Sequence, residues 1–349
     1  MSPAVLPSTS RARGSRHWLS GFALCFAAML PPLWWSWRTP APYGDLTRIG
    51  RFSEAAFGWQ AEQPGVNPTH LRNTALAEAD VVVIGDSFSV SLAWQTVLVA
   101  AGWRVATLHW HDVGPLCDDL PDSLARQGFR GRALILQRVE RSLPGLLDDT
   151  RACGSAAVRR RLGAQAASRH AAPPTQPPSA AFDWHSRIDT GIVTAWHTWQ
   201  AEQTATGYLV KDVEAVRVRP VPSGCQRFSH ALCNKALFLA DDEDLPPLSP
   251  EHLKRLAASV PHRTGLRTIW LVMPNKSTVY LQEERARSLS AALRADFTPE
   301  QAPDLFADFQ RQRDHIRDLY APNDTHLSTA GYLHLGQTLL DLLGAAPAR

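Results

Sequence analysis

The longest uninterrupted hydrophobic run comes first. Trp18 to Trp37 (WLSGFALCFAAMLPPLWWSW) holds no charged residue across 20 positions, enough helix to cross a bilayer. Pro31 and Pro32 are expected to bend or end that helix. They leave a fully apolar core of about 12 residues, Leu19 to Leu30, a length that also suits a cleavable signal peptide. Further along, the runs are short and punctuated. Val81–Ile84, Arg104–Trp110, Ala133–Val139 and Thr268–Met273 fit strands, and the continuous apolar ones have the character of buried parallel strands. Helical patterns follow at Ser89–Ala101, Pro250–Ala258, Leu281–Phe297, Ala302–Leu319 and Ser328–Leu343, the last with Ser328 as N-cap. Strands alternating with helices predict an α/β fold with a parallel sheet.

The domain layout follows from the same pattern. Residues 1–17 form a basic tail, 18–37 an anchor, 38–79 a proline-bearing stem, and 80–345 the main domain. The stretch AAPPTQPPSAA, within 162–182, has the composition of a loop. It opens an expected insertion at about 160–236, with a helix near Ile188–Gln203 and strands near Tyr208–Val221.

Charge turns the first run into a topology signal. The 349 residues carry 36 Lys+Arg and 33 Asp+Glu, a net +3. Arg11, Arg13 and Arg16 precede the hydrophobic run with no acid among residues 1–37, so the rest of the chain is charge-balanced. By the positive-inside rule the N-terminus is cytoplasmic, with Trp18 at one membrane interface and Trp34, Trp35 and Trp37 at the other. An uncleaved signal anchor is favoured over a cleaved signal, because no clear small-x-small site follows. The main domain is then extracytoplasmic, in the periplasm of a Gram-negative cell. A neutral body argues against nucleic-acid binding, and 44% hydrophobic content argues against disorder.

Cysteine usage fits export. Cys25 lies in the anchor, and Cys117, Cys153, Cys225 and Cys233 make an even number beyond it. Cys225–Cys233 with Cys117–Cys153 is the preferred pairing of three, against buried free thiols. No spacing points to zinc. His109-Trp-His111 and Asp241–Asp244 are better explained by strand alternation and a solvated turn than by metal.

The segment richest in chemistry is Asp80-Val-Val-Val-Ile-Gly-Asp-Ser-Phe-Ser89. It runs from a buried strand through Gly85-Asp86-Ser87 into a helix start. In open α/β sheets ligands bind at the carboxyl ends of strands. A serine there meets helix N-terminal N–H groups, which favour a developing oxyanion. A serine nucleophile needs a base and the base an orienting acid. Asn323-Asp-Thr-His-Leu-Ser-Thr-Ala-Gly-Tyr332 offers His326 and Asp324, with Asn323 a weaker orienter. The alternative is an ordinary turn and an ordinary histidine among 13.

With these two blocks in view, GDSFS and DTHLSTAGY resemble the first and last blocks of SGNH (GDSL-type) hydrolases. More narrowly the chain resembles the AlgX/AlgJ-related polysaccharide O-acetyltransferases. Leu46-Thr-Arg-Ile-Gly50, Phe57-Gly-Trp59, Val139-Glu-Arg141 and Pro274-Asn-Lys-Ser-Thr-Val-Tyr280 support the narrower likeness. The resemblance implies a flavodoxin-like three-layer fold, with Ser87, Asp324 and His326 catalytic. It also implies an oxyanion hole from the backbone of Ser87 and Gly114. The family's third-strand Asn is missing. Gln137 or Arg141 could line the site, although a structural Glu140–Arg141 pair is slightly favoured. Lys276 and Tyr280 are substrate-binding candidates, with surface placement the alternative.

Asp-x-His matches the alginate enzymes, but its position after the serine matches ordinary SGNH hydrolases and the peptidoglycan acetyltransferases, which argues against alginate as substrate. The resemblance implies acetyl transfer to an exported polysaccharide through an acetyl-serine. No cofactor is expected, and acetyl groups would come from a multi-spanning membrane acyltransferase. The alternatives are a carbohydrate O-acetyl esterase, which needs only water as acceptor, and a non-catalytic polysaccharide-binding shell.

Overall fold

In the computed structural model, residues 9–39, 41–150, 171–177, 188–205, 208–211, 215–259 and 265–347 are described. Four parallel strands form the central sheet: β1 (Val81–Gly85), β2 (Val105–His109), β3 (Ala133–Val139) and β7 (Arg267–Met273), in the order β2-β1-β3-β7. Val81 aligns with Val105 on one side and Ala133 on the other. Successive side chains alternate between faces, so Val81 and Val83 join one core while Val82 and Ile84 join another. Each such fully buried side chain contributes about 1.5–3 kcal/mol. The first core includes Trp94, Leu98, Phe309 and Leu335; the second includes Leu124, Leu253, Leu289 and Phe306. Both faces are therefore covered, as a parallel sheet requires.

Three antiparallel strands build a second sheet, β4 (Tyr208–Lys211), β5 (Ala215–Pro220) and β6 (Lys235–Leu239), in sequence order. β6, lying across the end of the expected insertion, is the strand the sequence pattern does not place. A disulfide joins Cys225 to Cys233. Cys117 is also disulfide-bonded, whereas Cys153 lies outside the described residues.

Three expectations change. The N-terminal helix runs unbroken from Thr9 to Arg38 through both prolines; Pro32 follows Pro31 directly, so the two lost donors fall in one turn. The Ser89–Ala101 pattern is two helices, Ser87–Val90 and Gln95–Ala100, broken where Leu92 takes a left-handed backbone (φ 58°). Most consequentially, residues 38–79 are no mere spacer. They form the helices Asp45–Gly50 and Glu54–Phe57, which pack onto the loop ahead of the terminal helix Thr329–Leu343.

Candidate active site

Ser87 stands at the carboxyl end of β1. The chain leaves β1 for β2 on one side and later reaches β3 on the other, so this is the switch point of the sheet. Three local features hold the turn. Asp86 caps the next helix by accepting from Phe88 N–H at 3.1 Å and reaches across to Val139 N–H at 2.7 Å. Gln137, fully buried, accepts from Asp86 N–H at 3.0 Å and Ser89 Oγ at 2.8 Å. Gly85 is needed for close approach: a Cβ there would lie 2.5 Å from Ser89 Oγ and 2.7 Å from Gln137 Oε1. Ser87 itself is exposed.

The loop between Leu319 and Ser328 brings the second half of the site. It is pinched by a bridge between Tyr320 and Leu327 and by Ala321 N–H donating to His326 O at 3.0 Å. His326 Nε2 lies 2.7 Å from Ser87 Oγ, and Nδ1 lies 2.6 Å from Asp324 Oδ1. The ring of Phe88 packs 4.8 Å from the imidazole. Residues 239 positions apart thus form a continuous hydroxyl–imidazole–carboxylate chain. That arrangement can take a proton from a serine as it attacks.

One member of this site escaped the sequence reading. Asp45 Oδ2 is 3.4 Å from His326 Nδ1, and Asp45 N–H donates to Asp324 Oδ2 at 3.1 Å. The available signal was an acid at the head of the Leu46–Gly50 block. Glu54 supports both: it accepts from Tyr43 N–H, Gly44 N–H, Thr47 Oγ1 and Asn323 Nδ2. Asn323 is therefore bound to Glu54 and does not orient the histidine.

Burial alone would lower the His326 pKa, but hydrogen bonds and charge from Asp324 and Asp45 outweigh it and raise it to about 9. Asp324 is pushed up by burial and pulled well below the usual carboxylate range by His326 and the N–H groups of Asp45 and His326. Asp45, Asp324 and His326 are also the one group of acid and imidazole donors, among the described residues, close enough to hold a metal. The 2.6 Å between Nδ1 and Oδ1 is a hydrogen-bond separation that a proton fills.

Several expected site residues are placed elsewhere. Gly114 N–H already donates to Trp110 O at 2.7 Å as a helix cap, so it is not presented as an oxyanion donor. Ser87 N–H lies in the first turn of its helix, where no intrahelical acceptor exists. Gln137 props the serine turn, and its Nε2, although without a hydrogen-bond partner, is sealed from solvent. Arg141 pairs with Asp242 at 3.1 Å, while Glu140 pairs with Arg285 at 2.6 Å; the expected Glu140–Arg141 pair does not form.

Lys276 is buried, and its Nζ donates to the carbonyls of Ala321, Pro322 and Asp324 at 2.8, 3.0 and 3.1 Å. Burial lowers its pKa to about 7 against the pull of Asp324, Asp242 and Asp318. Enclosed in this way, it clamps the triad loop rather than standing at the surface. Tyr280 is buried too, its hydroxyl accepting from Tyr320 N–H. Of Asp241–Asp244, Asp242 is held by Arg141, and Glu243 and Asp244 by Arg217.

A cleft of about 210 Å³ adjoins His326, walled by Tyr43, Trp59, Gln63, Pro173 and Pro174. A larger cavity, about 550 Å³, lies among Arg219, Asp242, Glu243 and Arg285. Its charges are largely paired with one another or with neighbours, and no triad residue lines it. Compared with protein-family models, characterised proteins and solved structures, the chain matches none.

Proposed function

We propose that the protein is a membrane-anchored, extracytoplasmic SGNH-type O-acetyltransferase acting on an exported or cell-surface polysaccharide. The observation that carries this reading is the Ser87–His326–Asp324 chain of 2.7 and 2.6 Å contacts at a strand end. Ser87 Oγ attacks the carbonyl carbon of an acetyl ester while His326 Nε2 takes its proton. The tetrahedral oxyanion forms beside the Ser87 N–H. Its collapse expels the donor alkoxide, which receives the proton from Nε2. A glycan hydroxyl then attacks the acetyl-serine and gives its proton to His326. Deacylation returns that proton to Ser87.

The cleft beside His326 supports a sugar acceptor, because the flat apolar faces of Tyr43 and Trp59 with Pro173 and Pro174 suit a pyranose ring. The apolar N-terminal helix supports placement beside a membrane-borne acetyl donor, since acetyl-CoA is a cytoplasmic metabolite. A multi-spanning acyltransferase would supply that donor. A second reading, a carbohydrate O-acetyl esterase, is favoured by the solvent exposure of Ser87, which admits water as acceptor. The deciding experiment offers the purified protein an aryl acetate with and without oligosaccharide. Acetylated oligosaccharide supports transfer. Release of acetate unaffected by any acceptor supports the esterase. No turnover above a Ser87→Ala control refutes both.

A further inference from the structure

The helix Ile188–Gln203 is built inside out for a water-facing element. Its inward row, Gly191, Thr194, Thr198 and Ala201, is small and buried. Its outward row, Ile192, Trp196 and Trp199, is large, apolar and about half exposed. Spacings of four and three put those three side chains on one face. Trp196 and Trp199 pack together, ring centres 5.2 Å apart. A surface helix in water shows the opposite pattern.

The neighbour of this helix identifies what the face meets. The N-terminal helix, apolar over Ser15–Arg38 and almost wholly exposed, packs its last turns against it. At Gly191 a Cβ would lie 2.6 Å from Ser36 Cα, so the two backbones touch. Further along, Trp35 and Thr39 share a small cavity with Ala195, Thr198 and Trp199. Ile192, Trp196 and Trp199 therefore stand at the level where Trp34 and Trp35, also about half exposed, leave the apolar span. Arg38 lies over the Trp34 ring at 6.0 Å. Tryptophan beside a cationic residue at the end of an apolar span marks a lipid–water interface.

The same helix is tied to the catalytic body. His197 Nδ1 meets Gly50 O at 2.8 Å, and Thr198 Oγ1 accepts from Ser53 N–H at 3.0 Å. Lys235 Nζ caps the helix by donating to the carbonyls of Ala201, Glu202 and Thr204. Gly50 and Ser53 lie between Asp45 and Glu54, within the segment that brings both acids to the triad loop. A contact made by this face would therefore fix the orientation of the site.

We propose that Ile192, Trp196 and Trp199 form a lipid-contacting face. It seats in the headgroup–acyl boundary of the membrane and holds the body at a set height and tilt. The proposal rests on the reading of the N-terminal helix as a membrane span. To test it, full-length Cys25→Ser protein in phosphatidylcholine/phosphatidylglycerol nanodiscs is spin-labelled at Ile192→Cys or Trp199→Cys. Labels at Phe22→Cys and Glu284→Cys report the span and the water-facing body. Relaxation by oxygen is compared with relaxation by a water-soluble nickel chelate. The expected result is a severalfold oxygen preference at 192 and 199, as at 22, with the opposite at 284. Nickel preference at 192 and 199 with oxygen preference at 22 overturns the face and leaves the span standing. Nickel preference at 22 overturns both. Shielding of 192 and 199 from both reagents means a protein covers the face, and also overturns the proposal.

Discussion

Replacing Asp45 by Asn removes one negative charge beside His326 and leaves the backbone N–H that donates to Asp324 Oδ2. The imidazole then loses one of two carboxylates that hold its pKa at about 9, above its ordinary value of 6.5. An opposite charge within about 4–6 Å is worth roughly 1–3 pH units. Asp45 belongs at the low end. It is farther than Asp324, 3.4 against 2.6 Å, and Arg48 already sits 2.5 Å from it. The expected fall is about one pH unit, equivalent to about 1.4 kcal/mol. The imidazole must be neutral to accept the serine proton, so kcat/KM for an aryl acetate rises with pH through the free-enzyme pKa. In the variant this rising limb should move down by about one pH unit, and the plateau should drop because the base is weaker. NMR titration of labelled His326 checks the same shift without turnover. The raised pKa also adds stability that is complete below about pH 6.5 and is lost as pH rises through about 9; Asp45→Asn should shrink that loss. A limb and an NMR titration that both stay in place would refute the electrostatic role of Asp45.

Other perturbations probe the supports of the site. Lys276→Met orphans three loop carbonyls and should lower unfolding stability by about 3 kcal/mol, at about 1 kcal/mol each. It should also cut turnover, and an unchanged denaturation midpoint would contradict the clamp. Gly85→Ala forces a Cβ against Ser89 and Gln137 and should cost about 1–3 kcal/mol, with acetyl-group turnover falling more than global stability explains. Cys225→Ser opens a loop of sequence separation 8 and should cost about 2.5 kcal/mol by chain entropy, read from denaturant unfolding with turnover per folded molecule retained.

The parallel sheet was legible because its strands are buried on both faces and read as apolar runs; β3 begins and ends where the pattern places it. The antiparallel β4–β6 sheet was harder. β4 and β5 fall within the strands expected near Tyr208–Val221, where Val216 and Val218 alternate with arginines, whereas β6 straddles the end of the expected insertion and follows closely on the Cys225–Cys233 loop. Ser87, Asp324 and His326 could be picked out because each sits in a local block whose chemistry is visible within a few residues. Asp45 and Glu54 could not, since their roles arise only when a segment that reads as a stem folds across the triad loop. Lys276, Tyr280 and Arg141 show the converse limit. Polar residues near strand ends look like substrate contacts, yet burial turns the first two into loop supports and a carboxylate neighbour claims the third. The unbroken N-terminal helix reflects length: two adjacent prolines remove only two donors from a 30-residue ladder.

The central claim is that Ser87 Oγ becomes acylated. The most direct test mixes the full-length protein with an activated aryl acetate, quenches in acid and measures intact mass and the mass of the Ser87 peptide. A single added acetyl group on Ser87 is expected. It should be absent in Ser87→Ala, strongly reduced in His326→Ala, and lost from the enzyme when acceptor or water is allowed time to react. An unacetylated Ser87 peptide, or acetylation equal in the wild type and His326→Ala, would contradict the account.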